Sequence, residues 1–513
     1  MLHFFFYLCE KLFRLNSLKK LAGQTVIYGV SSILGRLLNY LMVPLHVYIF
    51  TDPGEYGVVG ELYAWVSLLI VLLMYGFETA FFRYNEIEEN KNGVFGTAFI
   101  SLLITSALFL SATFVFIEPI SQLMRYDANP EYIQWFSAII VLDVLSTIPF
   151  ARLRAQNKAK RFAIIKIAGI IVNVLLNLFF LLFCPWIQQF SEYAHWVNWF
   201  YTPSVGIGYI FLANLFSSLF TFVLLIPVIH LRDIQFRFKI WKEMAYYAFP
   251  LLIFGLAGIV NETMDRILLK NLSDPAIAMA QVGIYSACYK ISIMMTIFIQ
   301  AFKYAAEPFF FSKAKDADAK DTYSKVMTYF VATCSLIFLG IMLYMDIVKH
   351  FVSEAYQEGL GVVPILLLAN LFLGIFYNLS VWYKITGQTR FGAYISIFGA
   401  IITLVLNYLL IPIMGYMGAA WTTLICYAAM MIVSYVLSQK YYFIKYNFIK
   451  IFLYLFLALG IYYGSTFIPE IEKTINLAIN TILLLFYISV LYLVERKSIS
   501  KIIQDKQELN IEN

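Results

Sequence analysis

The chain has 513 residues, of which 61% are hydrophobic and only 13% are charged, and its formal net charge is +6. A soluble domain of this size would carry roughly twice that share of charged residues, so the composition excludes a soluble globular protein. The basic excess is interpreted as a signal of membrane topology, and no nucleic-acid partner is expected.

The first segment, residues 1–21, is interpreted as an interfacial amphipathic helix. Its apolar side includes Leu2, Phe5 and Phe6, and its basic residues follow from Lys11 onward. A frayed tail remains the alternative. We expect no cleavable signal peptide, because the apolar run is too short and its basic residues follow it.

Apolar runs of about 20 residues then recur along the chain, as in a polytopic helical membrane protein. The predicted fold is all-α with fourteen transmembrane helices. The predicted spans are 22–50, 57–81, 94–117, 132–151, 162–184, 203–229, 243–268, 279–302, 325–346, 360–382, 391–411, 415–438, 447–467 and 474–494.

The distribution of lysine and arginine predicts the orientation. Of 37 such residues, 30 lie on alternate segments beginning with the N-terminal one, and 5 lie on the opposite side. Basic residues concentrate on the cytoplasmic side of membrane proteins. We therefore predict a multi-pass protein of the bacterial inner (plasma) membrane with both termini in the cytoplasm.

The chain also resembles itself. The block ARLRAQNKAKRF, which begins at Ala151, resembles the block YKITGQTRFGAY, which begins at Tyr383. At an offset of 230 residues Arg154 aligns with Lys384 and Asn177 aligns with Asn407, and Gly57 aligns with Gly283 at an offset of 226. Two matches in one order at nearly one offset predict an internal repeat of six spans, and an even number keeps both copies in one orientation. The predicted domains are a first six-helix lobe, a second lobe in a parallel pseudo-twofold repeat, an additional two-helix hairpin and a cytoplasmic tail, over 22–230, 243–438, 447–494 and 495–513.

Three charged residues fall near the middle of predicted spans: Arg36, Asp143 and Lys290. An ionisable group at that depth costs several kcal/mol unless it faces a bundle interior or a wet cavity, roughly 2.5–3.5 on insertion scales. Arg36 shares a polar stripe with Asn39 at helical spacing, which indicates an inward-facing surface. We predict a central substrate-binding cavity with Arg36, Lys290, Asn39 and Asp143, and a structural ion pair of Arg36 with Asp143 as the alternative.

Two further groups of charges lie nearer the membrane surfaces. The outer group is either a set of ordinary helix-end charges or a site for ion coupling or gating, and it comprises Glu61, Glu262, Asp265 and Arg266. The inner group either forms a gate of salt bridges between the lobes or only flanks the helices, which we favour, and it comprises Glu78, Arg83, Lys303 and Glu307.

The sequence offers no signature of an enzyme or a metal site. The five cysteines are scattered without a CxxC pair or a histidine cluster, and the chain has no Walker sequence, HExxH or GxSxG. The prediction is a membrane transporter with no cofactor, not an enzyme. A membrane glycosyl-polymerase would need a substantial outer loop carrying catalytic groups, and the predicted loops are too short.

Three stretches resemble the polysaccharide flippase family. They are GVSSILGRLLNYLMVPL with the following EYG (Gly29 to Gly57), PLLIFGLAGIVNETMDRILL from Pro250, and VGIYSACYK with AFKYAAEPFF from Val282. That family belongs to the superfamily of multidrug, oligosaccharidyl-lipid and polysaccharide exporters. The resemblance implies a MATE-like fold and export of an undecaprenyl-diphosphate-linked oligosaccharide by alternating access, for lipopolysaccharide or another surface polysaccharide.

The resemblance also suggests roles and partners. Arg36 and Lys290 would contact the diphosphate, for which a guanidinium is well suited. Coupling to H⁺ or Na⁺ would use Asp143, Glu61, Glu262 or Asp265. The expected partners are the lipid-linked oligosaccharide, membrane lipids and other polysaccharide assembly proteins.

Two rival functions share this fold. A cation-coupled multidrug antiporter usually has twelve spans and acidic cavity residues, so Arg36 disfavours it. A flippase for the peptidoglycan lipid precursor also has fourteen spans and a cationic cavity, so it remains an open alternative.

Overall fold

The computed structural model describes residues 34–35, 37–38, 40–88, 91–229, 234–469 and 472–511, and within these ranges the secondary structure is helical. The predicted N-terminal segment, 1–21, lies outside the described residues, as do Arg36 and Asn39. The helices of the first half are α1 (Tyr40–Ile49), α2 (Pro53–Met74), α3 (Phe77–Ile87), α4 (Lys91–Val115), α5 (Ile117–Met124), α6 (Pro130–Ala155), α7 (Ala159–Leu178), α8 (Cys184–Gln188), α9 (Ser191–Val197) and α10 (Gly208–Leu225).

The second half begins with two long helices and ends with a helical hairpin. Its helices are α11 (Phe238–Leu272), α12 (Ala278–Lys313), α13 (Ala319–Leu343), α14 (Met345–Val348), α15 (Val362–Leu379), α16 (Val381–Ile385), α17 (Arg390–Met414), α18 (Tyr416–Tyr441), α19 (Phe448–Thr466) and α20 (Lys473–Ile511). The helix α20 continues well past residue 494, so the predicted tail is helical up to Ile511.

The predicted all-α membrane fold is confirmed. In the described part of the chain, 13 helices are long and apolar enough to cross a membrane. Each overlaps one predicted span, and most extend it by one turn or more at one end or both. Of the first predicted span, 22–50, only the end is described, as the short apolar helix α1. The count of fourteen and the division into lobes stay predictions.

Local sequence signals explain where α2 begins and ends. Asp52 caps its start, accepting a hydrogen bond at Oδ1 from the Gly54 amide (2.8 Å), and Pro53 follows at the first helical position. Tyr75 ends the helix in a left-handed conformation with φ of 33°, and α3 begins two residues later. The predicted second span is therefore one membrane crossing with a break, over Pro53–Ile87.

Helices of each half pack mainly on one another. In the first half α6 packs on α4 and α10, and α10 packs on α7. In the second half α15 and α17 pack on α18, and α17 also packs on α11. The hairpin of α19 and α20 packs on α13, where Leu339, Tyr454 and Tyr487 belong to a small buried cluster of their own.

The two halves meet where α2 packs against α11 and α12. We call this contact region the seam between the halves.

Candidate functional site

A cavity with a volume of about 350 Å³ lies between the two halves. The first half contributes side chains from α1, α2, α7 and α10, and the second half contributes side chains from α11 and α12. Because both halves line it, a relative movement of the halves would change its shape and access. The polar side chains differ between its two walls: those of the first half are neutral, and those of the second half include charged groups.

The first-half wall carries a chain of hydrogen-bonded neutral side chains, which we name the amide ladder: His46, Asn177, Asn173, Asn214 and Tyr63. The ring Nε2 of His46 pairs with Asn177 Oδ1 at 3.0 Å. Asn177 donates to Asn173 Oδ1 at 2.9 Å, and Asn173 donates to Asn214 at 3.5 Å. Asn214 donates to the Tyr63 hydroxyl at 2.8 Å. The ladder presents several amide and hydroxyl groups, and no net charge, to whatever enters the cavity.

The second-half wall carries Glu262, Arg266 and Lys290 together with Tyr289. Arg266 is held in place on several sides, because its Nη1 donates to Asp265 Oδ1 and to the Glu262 carbonyl, both at 3.1 Å. Its guanidinium also lies over the Tyr289 ring, 4.4 Å from the centroid. The charge of Arg266 is therefore largely compensated inside the protein.

Asp265 itself is buried away from the cavity. Its Oδ2 accepts a hydrogen bond from the Tyr285 hydroxyl at 2.6 Å, and its Oδ1 accepts one from the Arg266 amide at 2.8 Å. Through these contacts Asp265 holds the Arg266 side chain in place. They do not bring Asp265 to the cavity lining.

Lys290 differs from Arg266 because it makes no ion pair with any described residue. The charges of Arg266 and of Glu262 both act on Lys290, and the Glu262 carboxylate is exposed in the same cavity. An ammonium that lines a polar cavity without an ion-pair partner is suited to bind a phosphate oxygen.

On the outer side of the cavity, as the predicted orientation has it, a buried ion pair joins the halves. Lys270 Nζ of α11 lies 2.7 Å from Glu61 Oε2 of α2, and the two side chains are 5% and 2% exposed. Glu61 also accepts hydrogen bonds from Tyr126 (2.5 Å) and Trp65 (3.1 Å), and Lys270 donates to the Met124 carbonyl (2.6 Å). Burial and the neighbouring Glu61 carboxylate raise the pKa of Tyr126 well above its usual value. Every polar atom of this cluster is thus directed at a partner, which is the condition for a buried ion pair to hold.

The helix starts of α2 and α12 touch at the same end of the molecule. A Cβ placed on Gly57 would lie 2.1 Å from the Met279 carbonyl oxygen, and one placed on Gly283 would lie 1.8 Å from the Pro53 carbonyl oxygen. Only glycine lets two helix backbones approach so closely. Tyr356 of the second half adds a hydrogen bond to the Phe50 carbonyl at 2.5 Å. This end of the seam is closed.

At the opposite end, the charges predicted as a gate or as flanking residues pair within their own halves. Glu78 forms an ion pair with Arg154, both in the first half. Glu307 pairs with Lys384 at 2.7 Å, both in the second half. The pairs match the predicted repeat, since Arg154 and Lys384 are aligned in it. Neither is a salt bridge between the halves.

The other two inner charges contact aromatic rings. Arg83 lies 4.3 Å from the centroid of Tyr247, across the seam, and Lys303 lies 4.7 Å from the centroid of Tyr377, within the second half. Cation–π contacts of this kind contribute about 0.5–1 kcal/mol at exposed sites.

The structure brings together only some of the predicted site residues. Lys290, Glu262 and Arg266 line the cavity, and Glu61 lies in the outer ion pair. Asp143 is half-buried on α6 beside Tyr63 and Ser218 and is not among the described residues that line the cavity. Arg36 and Asn39 fall outside the described residues, so their predicted place in the cavity stays a prediction.

Sequence reasoning missed Lys270 and the asparagines of the ladder. Lys270 stands at the end of an apolar run, where an ordinary outer-loop cation is expected, so its position gives no signal of burial. Asn173 and Asn177 are four residues apart on one helix, and Asn177 is aligned with Asn407 in the repeat, so helical spacing was the signal that would have found them.

The fold and this cavity define a polytopic helical membrane protein. Solved structures with this fold include a lipid II flippase, MurJ, in an inward closed conformation, with 13% identity, a TM-score of 0.66, and coverage of 91% of this chain and 98% of that one. They also include an inward-facing multidrug resistance MATE family transporter of the MOP superfamily, with 15% identity, a TM-score of 0.64, and coverage of 79% and 94%. An outward-facing structure of a MATE family transporter matches at 13% identity and a TM-score of 0.59, over 84% and 97%.

A family model adds a sequence match. Residues 50–186 match the family described as "Polysaccharide biosynthesis protein". A comparison with curated protein sequences finds no match. The family match over residues 50–186 and the fold shared with MurJ and the MATE transporters confirm the resemblance that the sequence motifs predicted.

Proposed function

We propose that this protein is a flippase that moves an undecaprenyl-diphosphate-linked oligosaccharide across the bacterial inner membrane for surface polysaccharide biosynthesis. The observation that carries the proposal is Lys290, a cation without a described ion-pair partner in a cavity lined by both halves. A diphosphate crossing the membrane interior needs fixed positive charge to replace the water it loses.

The two walls suit the two polar parts of such a substrate. Lys290 lines the cavity and would bind the diphosphate, and the amide ladder offers donors and acceptors to sugar hydroxyls. The prenyl tail would remain in the lipid. Arg36 is the second cation that we propose for the diphosphate.

The closed outer end supports alternating access. The Gly57–Gly283 contact and the Glu61–Lys270 pair hold the halves together on the side predicted to face outward. The ion pairs Glu78–Arg154 and Glu307–Lys384 at the other end stay within their halves, so they need not break when the halves separate there. In this scheme Glu61 and Lys270 form the outer latch, and both termini face the cytoplasm.

The acidic residues in and beside the cavity are the candidates for binding a coupling ion. Glu262 is exposed in the cavity that Lys290 also lines, and Asp143 lies beside Tyr63 of the amide ladder. We propose Glu262 as the carboxylate that binds a coupling proton or Na⁺, because the loss of its negative charge would reduce its repulsion of a diphosphate at Lys290.

The proposal is tested in cells that depend on this protein for their surface polysaccharide. We expect Lys290→Ala to abolish export and to accumulate the lipid-linked intermediate, whereas Lys290→Arg retains part of the activity. The control is Lys313→Ala, which removes a cation of the same helix that lies outside the cavity and pairs with Asp316 at 2.5 Å. Normal polysaccharide levels in the Lys290→Ala cells would disprove the anion-binding role.

The peptidoglycan-precursor flippase is the second candidate, favoured by the likeness to a lipid II flippase fold. That precursor also carries a diphosphate, so Lys290 would serve it equally. Depletion of the protein separates the two: loss of surface polysaccharide with intact cell shape favours the first function, and lysis with accumulated peptidoglycan precursor favours the second. If the protein were a multidrug antiporter, cells depleted of it would instead lose drug resistance, and the Lys290→Ala variant would keep its activity.

A further inference from the structure

A second crevice, with a volume of about 610 Å³, lies away from the central cavity. It is bounded by the start of α13, the start of α19 and the part of α20 around Glu495. These three helix segments all lie at the end of the molecule that is predicted to be cytoplasmic. The crevice separates the terminal hairpin from the rest of the second half, and the proposed transport cycle does not use it.

The deepest charge in this crevice is compensated within the protein. Glu495 is 4% exposed and accepts hydrogen bonds from Lys450 Nζ (2.7 Å), the Tyr454 hydroxyl (2.5 Å) and the Tyr329 hydroxyl (3.3 Å). Its carboxylate therefore holds the hairpin to α13. With three donors around it, it opposes an incoming anion only weakly.

Two further cations line the crevice. Lys325 and Lys445 are exposed, and neither forms an ion pair with a residue in the described ranges. Asp321 is the other acidic residue of the lining, so Lys325, Lys445 and Lys450 outnumber the carboxylates. The start of α19 adds the positive end of a helix dipole beside them. The crevice is electrostatically suited to a phosphate.

An apolar surface runs from the crevice along α19. Phe448, Phe452 and Phe456 stack in sequence with ring centroids 6.0 and 5.8 Å apart. All three are exposed on the outside of the bundle, at 39%, 50% and 63%, and Ile449 beside the crevice is 83% exposed. A phosphate-binding pocket that continues into a lipid-facing aromatic stripe matches a molecule with an anionic head and hydrocarbon chains.

We propose that this crevice binds the headgroup of an anionic phospholipid of the cytoplasmic leaflet, with its acyl chains along the phenylalanine stripe of α19. Basic pockets between transmembrane helices on the cytoplasmic side are a recurring form of lipid recognition. A soluble phosphate would use the cations and gain nothing from the stripe. The bound lipid fills the space between the hairpin and α13.

The test uses the purified full-length protein and native mass spectrometry with phosphatidylglycerol, phosphatidylcholine and soluble glycerol phosphate as separate probes. We expect the protein to retain phosphatidylglycerol in preference to the other two. The double variant Lys325→Gln/Lys445→Gln should weaken phosphatidylglycerol binding roughly 25-fold, because each lysine near anionic lipid contributes about a factor of five. The charge-preserving variant Lys325→Arg/Lys445→Arg should bind as the wild type does.

The matched control is Lys239→Gln/Lys242→Gln, which removes two exposed lysines at the start of α11, at the same predicted end of the molecule. It should leave binding unchanged. Wild-type binding by the Lys325→Gln/Lys445→Gln variant would overturn the proposal, as would an equal loss in the control. Retention of glycerol phosphate as strong as that of phosphatidylglycerol would show a site for a soluble anion and would overturn the assignment to lipid.

Discussion

Gly57 of α2 and Gly283 of α12 lie against each other at the closed end of the seam. A Cβ on Gly283 would be 3.0 Å from the Gly57 amide nitrogen, and one on Gly57 would be 3.2 Å from the Gly283 amide nitrogen. These are the two glycines that the repeat aligns at an offset of 226 residues. The two reciprocal distances are nearly equal, which is the arrangement expected if the predicted repeats are paired about a twofold axis.

The first prediction concerns this contact. Gly57→Ala would place a methyl group 2.1 Å from the Met279 carbonyl oxygen, so the helix backbones must separate. We expect a loss of about 1–3 kcal/mol in the free energy of unfolding in detergent, typical of overpacking. We also expect a cysteine placed at Ser67 in the cavity to react faster with a membrane-impermeant maleimide added from outside.

Gly258→Ala is the matched control for this prediction. Gly258 also lies in a helix of the seam, α11, but its added methyl group would meet no atom within 4 Å. Since alanine favours helix over glycine by about 1 kcal/mol, that variant should be as stable as the wild type or more so. Equal effects of the two substitutions would contradict a special role for the Gly57 contact.

The second prediction concerns the outer latch. Glu61→Gln or Lys270→Met leaves one buried charge without its partner, and each should cost about 3–5 kcal/mol in the free energy of unfolding. The double variant should cost clearly less than the sum of the two, because it leaves no lone charge. Chemical denaturation of the four proteins measures the coupling.

An exposed pair provides the comparison for the latch. Lys349 and Asp346 lie 3.2 Å apart with side chains 35% and 72% exposed. Lys349→Met should change stability by less than about 1 kcal/mol. If Lys270→Met is as mild as Lys349→Met, the latch contributes little and the outer end is held by helix packing alone.

The third prediction concerns the inner charges. Because Glu78 and Arg154 pair within one half, exchanging them in Glu78→Arg/Arg154→Glu should preserve polysaccharide export, while Glu78→Arg alone impairs it. The repeat offers an independent second case in Glu307→Lys/Lys384→Glu. Failure of both exchanged variants, with intact protein levels, would indicate that these charges have partners across the seam in another state.

Much of the fold was predictable because a bilayer imposes simple rules on sequence. Apolar runs of about 20 residues marked the spans of α4, α6 and α17 to within a few residues, and the repeat identified the Gly57 and Gly283 positions before any contact was known. Pattern alone could not place side chains relative to another helix. Asp265 and Arg266 looked like two equivalent rim charges, yet one is buried as a brace and the other lines the cavity.

Lys270 is a second residue whose surroundings the sequence pattern could not predict. Its position at the end of an apolar run is that of an ordinary interfacial lysine. Its burial depends on Glu61 and on the Tyr126 loop, which are more than 140 residues away in the chain and belong to the other half. The packing of the two halves determines which distant residues become partners of Lys270. The pattern of a single sequence does not predict that packing.

The last prediction concerns the amide ladder. Asn173 accepts from Asn177 and donates to Asn214, so Asn173→Ala divides the ladder without changing any charge of the cavity. We expect export of the complete lipid-linked oligosaccharide to fall about fivefold, the equivalent of roughly one hydrogen bond. Transport of the same lipid diphosphate carrying a single sugar should be much less affected, because it meets fewer of these groups.

Both transport rates can be measured in proteoliposomes by the appearance of substrate on the opposite leaflet. Asn198→Ala is the control, since that side chain is exposed and accepts a hydrogen bond only from Gln188 among the described contacts. An equal loss for the two substrates would mean that the ladder supports the cavity wall and does not contact the sugars. A loss confined to the longer substrate would assign Asn173 to glycan recognition, separate from the charge provided by Lys290.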